Sequence, residues 1–144
     1  MSHQMNNISI LHIDDEPDFA DMAAAFLKRE DDGFDVATET SPKDGLDRLS
    51  DESIDCIICD YDMPKMNGIE VLKSVRETNP DLPFILFTGK GSEEVASEAL
   101  SNGATDYLQK QRGTEQYKLL ANRIVNAVQR YRSEQQAANL RRIR

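Results

Sequence analysis

Apolar runs and amphipathic stretches alternate along this chain almost without a break, and nothing else in the sequence constrains the fold as tightly. Residues 8–13, 34–38, 54–60, 83–87 and 106–109 read as strands. Residues 17–30, 41–49, 69–78 and 92–102 read as helices, and from Thr114 the chain is helical through Arg132 or beyond. Pro17 falls in the first turn of the first helix, where its missing N–H is no loss. Phe19, Met22, Ala23, Phe26 and Leu27 recur on one face of that helix. Asp31, Asp32 and Gly33 stop it. Ser41 is placed to cap the second helix, with Asp44 as its capping-box partner, and Gly103 ends the fourth. The 54–60 run is nearly all apolar, as expected of a central strand covered on both faces.

Five strands in strict alternation with five helices imply an α/β fold, a parallel sheet with helices on both faces. Crossovers are right-handed, and 144 residues suit one domain with a real core. The expected arrangement is a flavodoxin-like, doubly wound sheet of strand order 2-1-3-4-5. The domain itself spans residues 7–132, preceded by a poorly ordered tail, residues 1–6. Residues 133–144 lack Gly and Pro and read as a helical extension, or a linker to an output domain. No DNA-binding helix-turn-helix follows. The chain is therefore expected to be a stand-alone unit or the first part of a longer protein.

A formal net charge of −9 argues against direct binding to nucleic acid, whose phosphates demand a basic surface. No run of 18 apolar residues exists to span a membrane, and the polar start, Met1 to Asn7, lacks the regions of a signal peptide. A cytoplasmic location is expected. Cys56 and Cys59 are spaced as C-x-x-C, but along a strand they point to opposite faces. No further pair of ligands stands near them to complete a zinc site. Buried free thiols are the better reading.

In such a sheet, function gathers at the carboxyl ends of the strands. The first strand ends in Asp14 and Asp15, the third in Asp60, the fourth in Thr88 and the fifth in Lys110. Each alone has a bland explanation: acids in a first helical turn favour the helix dipole, and a lysine after a strand is usually solvated. Together they converge on one small area. Three carboxylates so close cannot all ionise cheaply without a cation, and hard oxygen ligands in this number suit Mg²⁺, with Mn²⁺ as its substitute. A carboxylate is itself a nucleophile toward phosphorus. Phosphoryl transfer then needs positive charge and donors around the equatorial oxygens, which Lys110 and the Thr88 hydroxyl supply.

The run I-I-C-D-Y-D-M-P-K-M-N-G resembles the signature of response regulator receiver domains, D-x-x-M-P-x-x-[DN]-G, with Asp60 at the acceptor position. L-H-I-D-D-E resembles that family's first strand and its acid pair, F-T-G-K-G its fourth strand, and G-A-T-D-Y-L-Q-K its fifth. The resemblance covers roughly residues 7 to 130. It implies a phosphoacceptor of two-component signalling, phosphorylated on Asp60 by a histidine kinase or phosphotransfer domain. Asp15 and Asp60 are then direct Mg²⁺ ligands, Asp14 acts mostly through water, and the Asp62 backbone carbonyl completes the set. Thr88 and Tyr107 become the switch pair, moving inward on phosphorylation and repacking the face of helix 4, strand 5 and helix 5. Asp62 and Lys90 become the tuning positions over the phosphoryl group, and could form an ion pair across its mouth. No enzymatic turnover is implied beyond self-catalysed transfer and slow autodephosphorylation.

This chain departs from the family's pattern at Gly89, where Ala or Ser is common, and at Gln111, where proline is usual. A trans Lys110–Gln111 peptide is expected, because a non-proline cis bond costs about 3–4 kcal/mol. His12, inside the first strand, is not expected to donate a phosphoryl group. The closing helix repeats Tyr117, Leu120, Ile124, Val128 and Tyr131, then thins to Ala137, Ala138, Leu140 and Ile143. That pattern supports at most a weak homodimer. Rival readings are a haloacid dehalogenase-like phosphatase, a flavin-binding module, and a receiver-fold scaffold that is never phosphorylated. The phosphatases place their nucleophile first and acid pair last, the reverse of the order here. A flavin module needs a phosphate-cradling loop where Asp14, Asp15 and Glu16 stand.

Overall fold

The computed structural model describes residues 7–143; the expected tail, residues 1–6, and Arg144 lie outside the described residues. Strands β1 (Ile8–Ile13), β2 (Phe34–Glu39), β3 (Cys56–Cys59), β4 (Phe84–Thr88) and β5 (Asp106–Gln109) alternate with helices α1 (Pro17–Glu30), α2 (Pro42–Asp51), α3 (Gly68–Thr78), α4 (Glu93–Ser101) and α5 (Glu115–Ile143). Every strand pair is parallel, and the order is β2-β1-β3-β4-β5, as the alternation implied. Among the described residues no helix is long and apolar enough to cross a membrane.

Period-two alternation sorts the strand side chains into two layers. Ile8, Ile10, Cys56, Ile58, Ile85 and Phe87 pack toward α1 and α5. Leu11, Ile13, Ile57, Cys59, Phe84 and Leu86 pack toward α2, α3 and α4. Burying each such side chain stabilises the fold by about 1.5–3 kcal/mol relative to leaving it exposed. Cys56 and Cys59 fall in opposite layers, both free and buried. Burial pushes both thiols up, so neither is a ready thiolate.

The structure corrects some local expectations. Met22 is 44% exposed and does not join the core face of α1, which consists of Ala20, Ala23 and Leu27 flanked by Phe19 and Phe26. At 100° per residue, Met22 lies beyond Phe26 on the flank of that stripe. The expected capping box of α2 is half formed. The Ser41 hydroxyl accepts from the Asp44 N–H at 3.1 Å, but no reciprocal bond from Asp44 is present, its side chain being one methylene shorter than a glutamate. A full box sits instead on α3: Asn67 Oδ1 accepts from the Ile69 and Glu70 N–H groups, and Glu70 Oε1 from the Asn67 N–H.

Register sets the site. Ile13 pairs with Cys59, so Asp14 and Asp60 leave the sheet side by side. Cys59 pairs with Leu86 and Thr88 with Gln109, so β4 and then β5 each reach about one residue further out. The result is a stair whose top step carries Lys110.

Gly68 lets α3 dock beneath this stair. It is buried, and a Cβ there would run into the Asp60 carbonyl oxygen and come within 2.7 Å of Leu86 Cδ1. Backbone cannot yield as a side-chain tip can. Gly68→Ala is expected to destabilise the domain by about 1–3 kcal/mol in urea unfolding. An unchanged midpoint would show that α3 can step away from β3 at no cost.

Candidate functional site

Asp14, Asp15 and Asp60 come together as the sequence predicted, each offering one oxygen within 4.8 Å of the others. Asp14 is fully buried and Asp60 only 5% exposed. Backbone donors fix both carboxylates: Asp14 Oδ1 accepts from the Glu16 N–H at 2.9 Å, and Asp60 Oδ1 from the Tyr61 N–H at 2.8 Å. Their other oxygens face Lys110. The ammonium is 2.8 Å from Asp14 Oδ2 and 3.6 Å from Asp60 Oδ2. One ammonium thus stands against three carboxylates. Burial first, then the charges of Asp14 and Asp60, push the Asp15 carboxyl above its ordinary range. This donor set of hard, partly desolvated oxygens fits Mg²⁺ or Mn²⁺.

Two side chains that the sequence reading did not assign to the site also belong to it. Phe19, read there as core, lies under the ammonium, with Lys110 Nζ 4.0 Å from its ring centroid, a cation–π contact. Its place in the first turn of α1, just after the acid pair, was the available signal. His12 is fully buried with both ring nitrogens unpartnered. Burial first, then Lys110, lower its pKa to about 4, so the ring is neutral at physiological pH.

Thr88 is buried at the end of β4, and its hydroxyl accepts from the Lys90 N–H at 3.1 Å. Tyr107 is half-buried against the α3–α4 layer. Its hydroxyl rests directly on Gly91, where a Cβ would overlap it. Thr88 and Tyr107 therefore grip the same short loop, residues 89–92. Asp62 and Lys90 are both exposed, and no ion pair joins them among the described residues. The expected pair is absent because each side chain is free to extend into water, where such a pair adds little.

The Lys110–Gln111 peptide is trans. Gln116, at the start of α5, holds the loop that follows. Its Oε1 accepts from the Gln111 N–H at 2.8 Å, and its Nε2 donates to the carbonyls of Gln111 and Gly113 at 2.6 and 2.9 Å.

Paired carboxylates on adjoining central strands, an ammonium from the edge strand and a hydroxyl between them define a doubly wound α/β domain built to hold a hard cation and an anion together. Residues 10–122 match the response regulator receiver domain, and the chain belongs to that family, the receiver of two-component signalling. It is 33% identical over 122 residues to the response regulator SaeR of Staphylococcus aureus, across 85% of this chain and 52% of that protein. The chain thus spans about half the length of the curated relatives it matches. A response regulator receiver domain protein from Clostridium thermocellum superposes with a TM-score of 0.78 at 31% identity, over 87% of this chain and 97% of that one. NtrX from Brucella abortus does so at 0.78 and 25% identity, over 90% of this chain and 29% of its own length. Family membership decides against the phosphatase and flavin readings.

The charge imbalance has a measurable consequence. Because the folded-state pKa of Asp15 is raised, the metal-free fold loses stability as pH rises through it. Asp15→Asn is expected to raise the melting temperature of metal-free protein at pH 7, with the gap closing as pH falls toward the ordinary value of 3.8. Added Mg²⁺ should stabilise the wild type more than the variant. Equal Mg²⁺ responses would remove Asp15 from the ligand set.

Proposed function

We propose that Asp60 accepts a phosphoryl group from the phosphohistidine of a histidine kinase or phosphotransfer domain, and that the chain performs no turnover beyond this transfer and slow autodephosphorylation. The observation that carries the reading is Asp60 Oδ2, a nearly buried carboxylate oxygen with no backbone donor, 3.6 Å from an ammonium already shared with Asp14. That oxygen attacks phosphorus, the P–N bond to the donor imidazole breaks, and its electron pair stays on the leaving nitrogen. Lys110 follows the developing charge by shifting from Asp14 toward a phosphoryl oxygen. The Thr88 hydroxyl donates a hydrogen bond to a second oxygen. Asp15, Asp60 and the Asp62 carbonyl, with Asp14 in support, would hold Mg²⁺, which would supply positive charge to the phosphoryl group.

Withdrawal of Thr88 from its loop would free Tyr107 to move inward and so alter the α4-β5-α5 face, where Leu100 and Leu119 are 53% and 45% exposed. That face, or the exposed run of α5 from 133 to 143, would address a following output domain or a second copy in a weak dimer. The length of the relatives supports an output domain. The acidic balance and the absence of a long apolar helix among the described residues support a cytoplasmic protein that makes no direct nucleic-acid contact.

Acetyl phosphate with Mg²⁺ is expected to add one phosphoryl mass to the wild type and none to Asp60→Asn, read by intact-protein mass spectrometry. No adduct on the wild type from either acetyl phosphate or a kinase would leave the scaffold reading in its place.

Asp62 and Lys90 stand where an attacking water must approach in line. Lys90→Ala and Asp62→Ala should each change the lifetime of phospho-Asp60 several-fold without altering the fold, since roughly 1.4 kcal/mol on a barrier is tenfold. With no ion pair between them, the double variant should show the product of the two effects. Unchanged lifetimes in both single variants would reject the tuning role.

A further inference from the structure

Among the described residues, His12 is a buried polar side chain beside the site that the steps above do not use. It stands two residues before Asp14 on β1, fully buried, and neither ring nitrogen has a hydrogen-bond partner. Its Nε2 is 3.7 Å from Asp14 Oδ2, too far for a hydrogen bond. That oxygen is the one Lys110 holds at 2.8 Å. Imidazole and ammonium also share an aromatic neighbour. Phe19 meets the His12 ring edge-on, with centroids 6.3 Å apart, and lies 4.0 Å from Lys110 Nζ. For packing alone an imidazole is a poor occupant, because a buried nitrogen without a partner is penalised where a leucine of similar size is not.

We propose that His12 is a positioning residue that takes over Asp14 Oδ2 when Lys110 leaves it for the phosphoryl group. The inference rests on Asp60 being the phosphoacceptor. In the resting site Lys110 satisfies Asp14 and His12 is idle. Once the ammonium turns to the phosphoryl oxygens, Asp14 Oδ2 loses its ammonium donor at a fully buried position, and a buried carboxylate oxygen that loses a donor is costly. Asp14 Oδ1 stays tied to the Glu16 N–H, so a small pivot about that bond carries Oδ2 toward Nε2. The Nε2–H then donates to it. Donors are exchanged and no proton is transferred. Asp14 keeps its orientation toward the cation in both states, and the cost of moving Lys110 falls.

The test uses the whole chain with beryllofluoride and Mg²⁺ as a non-transferable stand-in for the phosphoryl group. Affinity is read by ¹⁹F NMR titration, and the ring by ¹⁵N-histidine NMR assigned against His12→Asn. The wild-type ring is expected in its Nε2–H form, with that proton moving downfield when beryllofluoride binds. His12→Leu should melt no lower than wild type yet bind beryllofluoride about tenfold more weakly, the size of one lost hydrogen bond to a charged group. His12→Asn, which retains an N–H donor, should recover most of the affinity. Wild-type affinity in His12→Leu, or an Nε2–H proton that does not move, overturns the proposal. The ring measurement is made on the wild type, with His12→Asn used only for assignment, and decides even if His12→Leu does not fold. If the wild type takes up neither beryllofluoride nor a phosphoryl group on Asp60, the phosphoacceptor reading fails and this inference with it.

Discussion

Three carboxylates and one ammonium share the carboxyl edge of the central sheet, and the architecture around them holds that imbalance in place. Like charges at this spacing repel, so a flexible site would relax by splaying them into water. Here it cannot. Asp14 and Asp60 follow directly on strands paired at Ile13 and Cys59, and each has one oxygen tied to a backbone N–H within two residues. The close seat of Gly68 against the Asp60 carbonyl holds the end of β3 against α3. The raised pKa of Asp15 is the residue of this constraint, a cost imposed by the neighbouring carboxylates as well as by burial. A site strained in this way has a built-in preference for a cation and for any event that redistributes its charge.

The loop between β4 and α4 is met by side chains from both β4 and β5. Thr88 meets the loop from the sheet side through the Lys90 N–H, and Tyr107 meets it from the β5 side by resting on Gly91. If the hydroxyl is drawn to an anion over Asp60, the Lys90 N–H loses its acceptor and the seat of the Tyr107 ring is disturbed. A glycine at 91 makes this contact tight, because any side chain there would occupy the space of the phenol oxygen.

Much of this was legible in the sequence. Strand order, the opposed cysteines and the convergence of Asp14, Asp15, Asp60 and Lys110 follow from period-two alternation and the rule that strand ends carry function. Those are repeating local patterns, and the sequence displays them directly. What escaped was geometry between side chains far apart in the chain. Phe19 was read as core, and its ring lies both against that core and under Lys110, a contact spanning more than ninety residues. Met22 was placed in the core, although an apolar residue on the flank of a helical stripe is left out when the sheet beneath is already covered. The Asp62–Lys90 pair failed for a related reason: sequence spacing can bring two exposed charges near one mouth but gives them no reason to prefer each other to water.

Lys110 shows how rigidity and motion are divided. Its N–H donates to the Thr88 carbonyl at 2.9 Å, and the next residue, Gln111, is clasped on both its N–H and its carbonyl by the Gln116 amide from the start of α5. A proline after the lysine would have no N–H to offer, so this two-way clasp is available to any residue there except proline. The backbone that carries the ammonium is therefore pinned to β4 on one side and to α5 on the other. What remains free is the side chain, lying over the Phe19 ring, with Asp14 Oδ2 at 2.8 Å and Asp60 Oδ2 at 3.6 Å. Exchange between those partners needs only rotation of a few methylenes, a rapid and inexpensive motion. Gln111 thus fixes the backbone beside Lys110 by a clasp that a proline at that position could not make, while the ammonium keeps its reach to both carboxylates.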